Sequence, residues 1–517
     1  MPSSVESAIQ FWPRGGSAQV VRYLHREYES RGIPTRVHAG SRGEPGDPSH
    51  APTFYAGLDL RYYDHNAAHT AFLAGQNPQS GRRPHHPSYE DRGVCPDPLY
   101  SAVPPAAARH LATAWSEHLA EQRSTSPGIV HLHHLSHLQL AARAAIPGIP
   151  RITTLHGTEL KHLDAMDRRI TVAGQAGLPL SEVARRLHSD APDRHRQADQ
   201  ITQAAGLEEP ARDLLLTTSW EKWTYAEYWA DLFRQAARHA GRIITVSHHD
   251  QALARRLLNL PEDPEVIGNG VDTSRFAPVA LSDSERQELL RKWLVTDPQG
   301  WAPGAHAGSI RYTDSDLRRM HNTDGTLRPL LLWVGRFLDF KRVPVLLEAY
   351  ARLRTRLTPA PVLLMWGGYP GECEGEHPAD TAHRLGLADD VYFVGWRGHE
   401  ELPLGLNVAD IMVAPAVDEP FGMVYLEAMA CGTPPIATRS GGPARTIIAD
   451  GPQATGWLAA PDDIDDLAHV LHTALQTMHS PTERAHIADR ARNHITTTYA
   501  WSRTADQYLV AYANTTV

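Results

Sequence analysis

Apolar positions along the chain fall in short runs separated by longer amphipathic stretches. The clearest runs are LLLWV over 330–334 and VLLMW over 362–366. Runs of this length bounded by turn residues fit strands buried on both faces, the usual state of a parallel sheet. The chain opens with a strand at 7–11, a Gly-containing turn at 12–17 and a helix over 18–30. On that helix Val20, Val21, Leu24 and Tyr28 share a face. A second strand follows at 34–39, which completes a β–loop–α–β start to a doubly wound sheet.

The alternation continues with a helix at 106–121, a strand at 128–133, a helix at 135–145 and a strand at 151–155. A helix at 221–239, a strand at 242–246 and a β-like piece at 265–267 follow. From 40 to 105 the chain is rich in Gly, Pro, His and Arg. It reads as long loops around one short helix near 64–73, and 160–205 reads as helices without a clear place. After 330 the rhythm returns, with strands at 330–335, 361–366, 391–394, 410–414 and 434–438 and a last helix at 501–513. At roughly 150 residues per domain, 517 residues suggest about three domains. The alternation instead describes two facing Rossmann-like α/β units, 1–280 and 330–499. The stretch 281–329 is then a linker and insertion, and the helix from about 500 to 517 returns to the first unit.

Composition narrows the classes. No apolar run approaches the ~20 residues of a membrane span, and no charged segment followed by an apolar one opens the chain, so no secretory signal is expected. Three scattered cysteines, Cys95, Cys373 and Cys431, form neither a disulfide framework nor a zinc set, which fits a cytoplasmic protein. A net charge of −9 argues against nucleic-acid binding by phosphate neutralisation. Only Lys161, Lys222, Lys292 and Lys341 are lysines among 50 basic residues.

Lys341 is part of one of two strong local patterns. Gly335-Arg336 and Lys341-Arg342 flank a strand-to-helix junction with Pro344 in the helix's first turn. Two cations beside a helix N-terminus suit a diphosphate, and a surface salt-bridge pair is the other reading. The second pattern is Glu419-Pro420-Phe421-Gly422-Met423-Val424-Tyr425-Leu426-Glu427, directly after a buried strand and stopped by Gly432 and Pro434. It places two carboxylates at the two ends of a turn and about one and a half helical turns. They could receive hydroxyls from different parts of an extended ligand, or be a dipole-stabilising residue and a solvated one. Gly15-Gly16 permits close backbone approach without a complete G-x-G-x-x-G. Of His131, His133, His134 and His137 only the first two share a face of the strand, and no carboxylate or cysteine cluster lies nearby in sequence, so they read as structural and no metal site is expected.

Together these residues resemble the retaining family-4 glycosyltransferases of the GT-B fold. The match runs in order through Gly15-Gly16, His131-Leu132-His133, Thr154-Leu155-His156-Gly157-Thr158 and Thr245-Val246-Ser247. It continues through Asn269-Gly270-Val271-Asp272, Gly335-Arg336 with Lys341-Arg342, Val394-Gly395, and Glu419-Pro420-Phe421-Gly422 with Glu427. The resemblance implies Arg336, Lys341 and Gly335 on the diphosphate of a nucleotide sugar, UDP-linked by family frequency, and Glu427 on the ribose. It implies Glu419 and the N–H groups of Phe421, Gly422, Met423 and Val424 on the donor sugar, and Trp396 and Arg397 at the base. His156 would face the donor sugar, and Gly16 would border the phosphates or the acceptor. Catalysis would use no metal and no protein nucleophile, and the first domain would bind a small soluble polar acceptor, with 54–76 as a candidate wall. A sugar-nucleotide hydrolase or epimerase and a non-catalytic binding subunit are the alternatives. The sequence departs from the family at Gly441-Gly442-Pro443-Ala444-Arg445, where Gly-Gly-x-Pro-Glu is usual. It departs also at Glu159, where Asp often follows, and at Pro415-Ala416 in place of Pro-Ser.

Overall fold

Two parallel sheets, each with helices on both sides, organise the chain in a computed structural model that describes residues 2–91, 95–124 and 127–515. The first compact unit is Met1–Ile267 with Ala505–Val517 and the second is Gly268–Thr504.

The first sheet has seven strands in the order β3-β2-β1-β4-β5-β6-β7. They are β1 Val5–Ile9, β2 Thr35–Ser41, β3 Leu60–Asp64, β4 Ile129–His133, β5 Arg151–Leu155, β6 Arg242–Thr245 and β7 Glu265–Val266. Strand order reverses between β1 and β4, so the loops after these two strands border the crevice where doubly wound sheets bind ligands. β1 begins earlier than its apolar pattern suggests because it carries Glu6, only 2% exposed. The Glu6 carboxylate receives His38 Nε2 of β2 at 2.7 Å and the Ser124 N–H at 3.1 Å. β3 escapes the pattern because it pairs only with β2 and buries only Tyr63.

Between β5 and β6 stand five α-helices, Thr158–Gln175, Leu180–Arg186, Arg194–Ala205, Ala211–Thr217 and Ala226–Arg238. Their apolar faces, including Leu163, Met166, Val183, Ile201 and Leu215, join the same core as Trp220, Trp229 and Phe233. The 160–235 segment is thus an integral wall of the first unit. Tyr508 and Tyr512 of the last helix reach this unit too. Tyr512 Oη lies 3.0 Å from Tyr28 Oη and 2.8 Å from His131 Nδ1, and Tyr508 Oη is 3.0 Å from Thr154 Oγ1.

The second sheet has the order β10-β9-β8-β11-β12-β13. Its strands are β8 Leu330–Gly335, β9 Val362–Gly367, β10 Val391–Gly395, β11 Ile411–Val413, β12 Pro435–Thr438 and β13 Trp457–Ala459. β13, three residues long, is too short for a periodic signal. Residues 281–329 lie inside this unit, so they are not a free linker. They cover the edge of β10: the Phe393 N–H donates to Tyr312 Oη at 2.8 Å, and Gln299 bridges to Gly395. An edge strand closed this way offers no template for pairing with another chain. Among the described residues no helix is long and apolar enough to cross a membrane.

Candidate active site

Within the second unit, the residues singled out from the sequence gather after the C-terminal ends of β8 and β11. β8 ends at Gly335, and a single 3-10 turn, Asp339–Lys341, leads into the helix Val343–Arg354. Arg342 between them adopts a left-handed backbone (φ 53°), held by Asp339 and Asp462, each 2.7 Å from its guanidinium. That bend turns Lys341 toward Glu419, whose Oε2 lies 2.5 Å from Lys341 Nζ. Arg336 is about one-third exposed and stands 3.4 Å from Glu372.

The Glu419 turn is flanked on both sides by left-handed backbone. Asp418 (φ 53°) and Gly422 (φ 81°) are left-handed, and a Cβ on Gly422 would lie 2.5 Å from the Tyr425 ring. Behind the turn, Gly442 N–H donates to the Glu419 carbonyl at 2.8 Å. A Cβ on Gly441 (φ 67°) would stand 2.3 Å from that carbonyl. Gly441-Gly442 therefore acts by allowing two loops to touch, and Arg445 in the position of the usual acid leaves that contact intact. The helix Met423–Ala430 starts at Gly422, so its first N–H groups have no acceptor inside the helix.

Glu427, one turn further along this helix, is buried, and its Oε1 is 3.8 Å from His399 Nδ1. Burial pushes its carboxyl up to about 8 against the pull of the Arg275 charge. Such a carboxyl accepts hydrogen bonds from a hydroxyl-bearing ligand once one displaces the proton. His399 and Tyr369 carry no sequence signal. Tyr369 packs on Trp396, ring centroids 4.6 Å apart, and is itself 41% exposed, so the pair forms an aromatic surface after β9 and β10.

Arg397 departs from the expected place at the base. Its side chain is only 2% exposed and its guanidinium binds the Asp297 carboxylate at 2.9 Å, the Asp297 carbonyl and the Trp293 carbonyl. Through its two terminal nitrogens it fastens the 281–329 segment to the sheet.

The first unit carries its own set. Gly15 (φ 65°) opens the helix Gly15–Ser30 with no atom within 4 Å of a built Cβ, and Gly16 follows it. Arg14 beside them is held by Asp97 at 2.5 Å and stacks over Phe11. His156 follows β5 and precedes Gly157 (φ 91°). Burial, with His134 adding to it, lowers the His156 ring to about 3, so it is neutral. Its Nε2 lies 3.1 Å from His133 Nδ1. The rings of His131 and His133 are 4.1 Å apart, and His131 is tied to Thr154 and Tyr512. Among the described residues no group of three His, Cys, Asp or Glu side chains is placed to hold a metal ion.

Two family models match the chain: glycosyl transferases group 1 over residues 318–494 and glycosyltransferase family 4 over residues 212–275. A D-inositol 3-phosphate glycosyltransferase of Stackebrandtia nassauensis is 34% identical over 317 residues, 56% of this chain and 67% of that protein. The chain belongs to the family-4 glycosyltransferases of the GT-B fold. A D-inositol 3-phosphate glycosyltransferase of Salinispora arenicola is 30% identical across 49% of this glycosyltransferase and 50% of its own length. The matches thus span between half and two thirds of these curated relatives.

Solved structures similar to this glycosyltransferase show its fold. Sucrose-phosphate synthase of Thermosynechococcus elongatus aligns over 99% of this chain and 98% of its own, with a TM-score of 0.59 and 19% identity. Anabaena HepE in complex with UDP and glucose aligns over 99% of this chain and all of its own, with a TM-score of 0.56 and 15% identity.

Proposed function

We propose that this glycosyltransferase moves a sugar, with retention of configuration, from a nucleotide-diphosphate sugar to a small soluble polar acceptor. The observation that carries this is the joining of Lys341, Glu419 and the buried Glu427 around one helix start on a parallel sheet. Arg336 and Lys341 supply positive charge where a diphosphate would sit, close to the open N–H groups of Phe421 to Val424. On binding, Lys341 would exchange part of its contact with Glu419 for a phosphate oxygen, leaving Glu419 to receive sugar hydroxyls. Glu427 would receive the ribose hydroxyls, and the Tyr369–Trp396 surface would flank the base. From the first unit, His156 would face the donor sugar and Gly16 the phosphates or acceptor.

As the sugar–oxygen bond of the donor breaks, the bonding electrons pass to the diphosphate oxygen. That oxygen takes the proton of the acceptor hydroxyl, which bonds to the sugar carbon from the same face. The products are the glycoside and the protonated nucleoside diphosphate. Arg336 and Lys341 offset the charge growing on the leaving group, so the chemistry is one of positioning and electrostatics.

UDP-glucose is the donor to assay first, since HepE was solved with UDP and glucose. Inositol 3-phosphate is the first acceptor, since the curated relatives are named for it. Consumption of UDP-glucose is followed with and without a panel of polyol and sugar-phosphate acceptors, and product anomers are read by NMR. Acceptor-dependent turnover with an unchanged anomer supports the reading. Acceptor-independent hydrolysis points to a hydrolase, interconversion of donor sugars to an epimerase, and binding without turnover to a carrier subunit.

A further inference from the structure

The motif around His156 contains a carboxylate that the proposed reaction does not use. Glu159 is 1% exposed. Its Oε1 receives the His156 backbone N–H at 2.8 Å, while Oε2 receives His134 Nδ1 at 3.1 Å and Thr158 Oγ1 at 3.3 Å. Burial alone would raise this carboxyl, but the neighbouring His134 and then His156 outweigh it and hold it below its ordinary range. A buried carboxylate whose hydrogen bonds go to one three-residue turn and one imidazole is a fixed strut.

His134 is held just as firmly. It has a left-handed backbone (φ 67°), a conformation that costs a non-glycine residue energy and persists only where its surroundings over-determine it. Its N–H donates to the Thr154 carbonyl at 2.9 Å, its carbonyl receives Gln139 Nε2 at 2.7 Å, and its ring donates to Glu159. The result sets the His134 ring 4.6 Å from the His156 ring, centroid to centroid, with the Phe11 ring edge-on to His134 at 5.1 Å. One carboxylate–imidazole pair therefore meets both the main chain and the ring of His156, while His133 meets that ring at Nε2. The strain falls where β4 ends, beside the reversal of strand order.

We infer that Glu159 and His134 act together as positioning residues for His156, fixing the angle at which that ring meets the donor sugar. The inference rests on the reading that His156 faces the donor. A positioning pair affects the geometry of the reacting complex more than the strength of nucleotide binding, so its removal separates kcat from KM.

The test uses UDP-glucose as probe with the full chain. Glu159→Gln still accepts from the His156 N–H but turns an amide donor toward His134 Nδ1. It should lower kcat tenfold or more while the KM for UDP-glucose stays within about twofold. His134→Asn suits the left-handed backbone and can still donate to Glu159, yet it removes the ring that packs on His156. It should lower kcat severalfold, also at constant KM, and it decides the matter alone if Glu159→Gln does not fold. Wild-type kcat in the folded variants, or a rise in KM that matches the loss, overturns the inference. Lys341→Ala run in parallel keeps the two claims apart. If it alone loses turnover, only the positioning role fails; if it too is normal, the assigned donor site fails.

Discussion

Lys341 Nζ and Glu419 Oε2 meet at 2.5 Å, with both side chains less than 15% exposed. One cation and one carboxylate expected on neighbouring parts of a single ligand are thus already paired without it. The pair keeps each charge from standing alone in a partly buried place, and it can open when a diphosphate offers the lysine a second anion. Lys341→Ala should cut donor turnover by about a hundredfold or more, the scale seen when one transition-state charge contact is removed. It should also lower the melting temperature, because Glu419 loses its partner. Turnover assays and thermal unfolding of the same preparation check both.

Glu427 makes stability depend on pH in a defined direction. Its carboxyl titrates near 8 when folded, against an ordinary value of 4.5, so between these pH values the folded chain binds more protons than the unfolded one. The contribution of this group to stability is then fully present below about 4.5 and is lost as pH rises toward 8. Glu427→Gln should flatten that part of the pH–stability curve, which melting temperatures at pH 5 and pH 8 will show.

The same proton reports on ligand binding. Ribose hydroxyls donate best to the ionised carboxylate, so UDP binding near pH 7 should release part of a proton from Glu427. Titration calorimetry in two buffers of different ionisation enthalpy measures this release, and Glu427→Gln should abolish it.

Gly441 and Gly451 separate close contact from backbone strain. Both are left-handed, at φ 67° and 79°, but only Gly441 has an atom within 4 Å of a built Cβ, the nearest being the Glu419 carbonyl oxygen at 2.3 Å. Gly451→Ala should cost about 1 kcal/mol through strain alone. Gly441→Ala should cost more and displace the Glu419 turn, lowering turnover as well as stability. Denaturant unfolding and donor turnover of the two variants compare them directly.

Arg397 should behave as a structural residue. Its buried guanidinium joins the 281–329 segment to β10 through Asp297 and two carbonyls. Arg397→Ala should therefore lower the melting temperature and expose 281–329 to proteolysis, leaving the preference between UDP and other nucleoside diphosphates unchanged. Limited proteolysis and nucleotide competition are the two readouts.

The parts of this fold legible in the sequence are those where burial was apolar. LLLWV and VLLMW correspond to β8 and β9, and the Glu419–Glu427 pattern to its turn and helix. Elsewhere, polar burial and short pairing hid the signal. Glu6 and His38 hydrogen-bond one another inside the first sheet, and Tyr63 is the lone buried side chain of an edge strand. Arg397 shows the opposite failure: a cation beside the expected site looked like a ligand contact, but Asp297, one hundred residues away in sequence, claims it. Long-range partners of this kind, like His399 beside Glu427, leave no spacing to read.

On the proposed reading the second unit binds a nucleoside diphosphate through Arg336, Lys341 and Glu427. Titration calorimetry of UDP against the wild-type chain, Arg336→Ala and Glu427→Ala tests it most directly. One site on the wild type is expected, with affinity at least tenfold weaker in each variant and folding retained. Absence of UDP binding to the wild type, or equal affinity in all three, would contradict it.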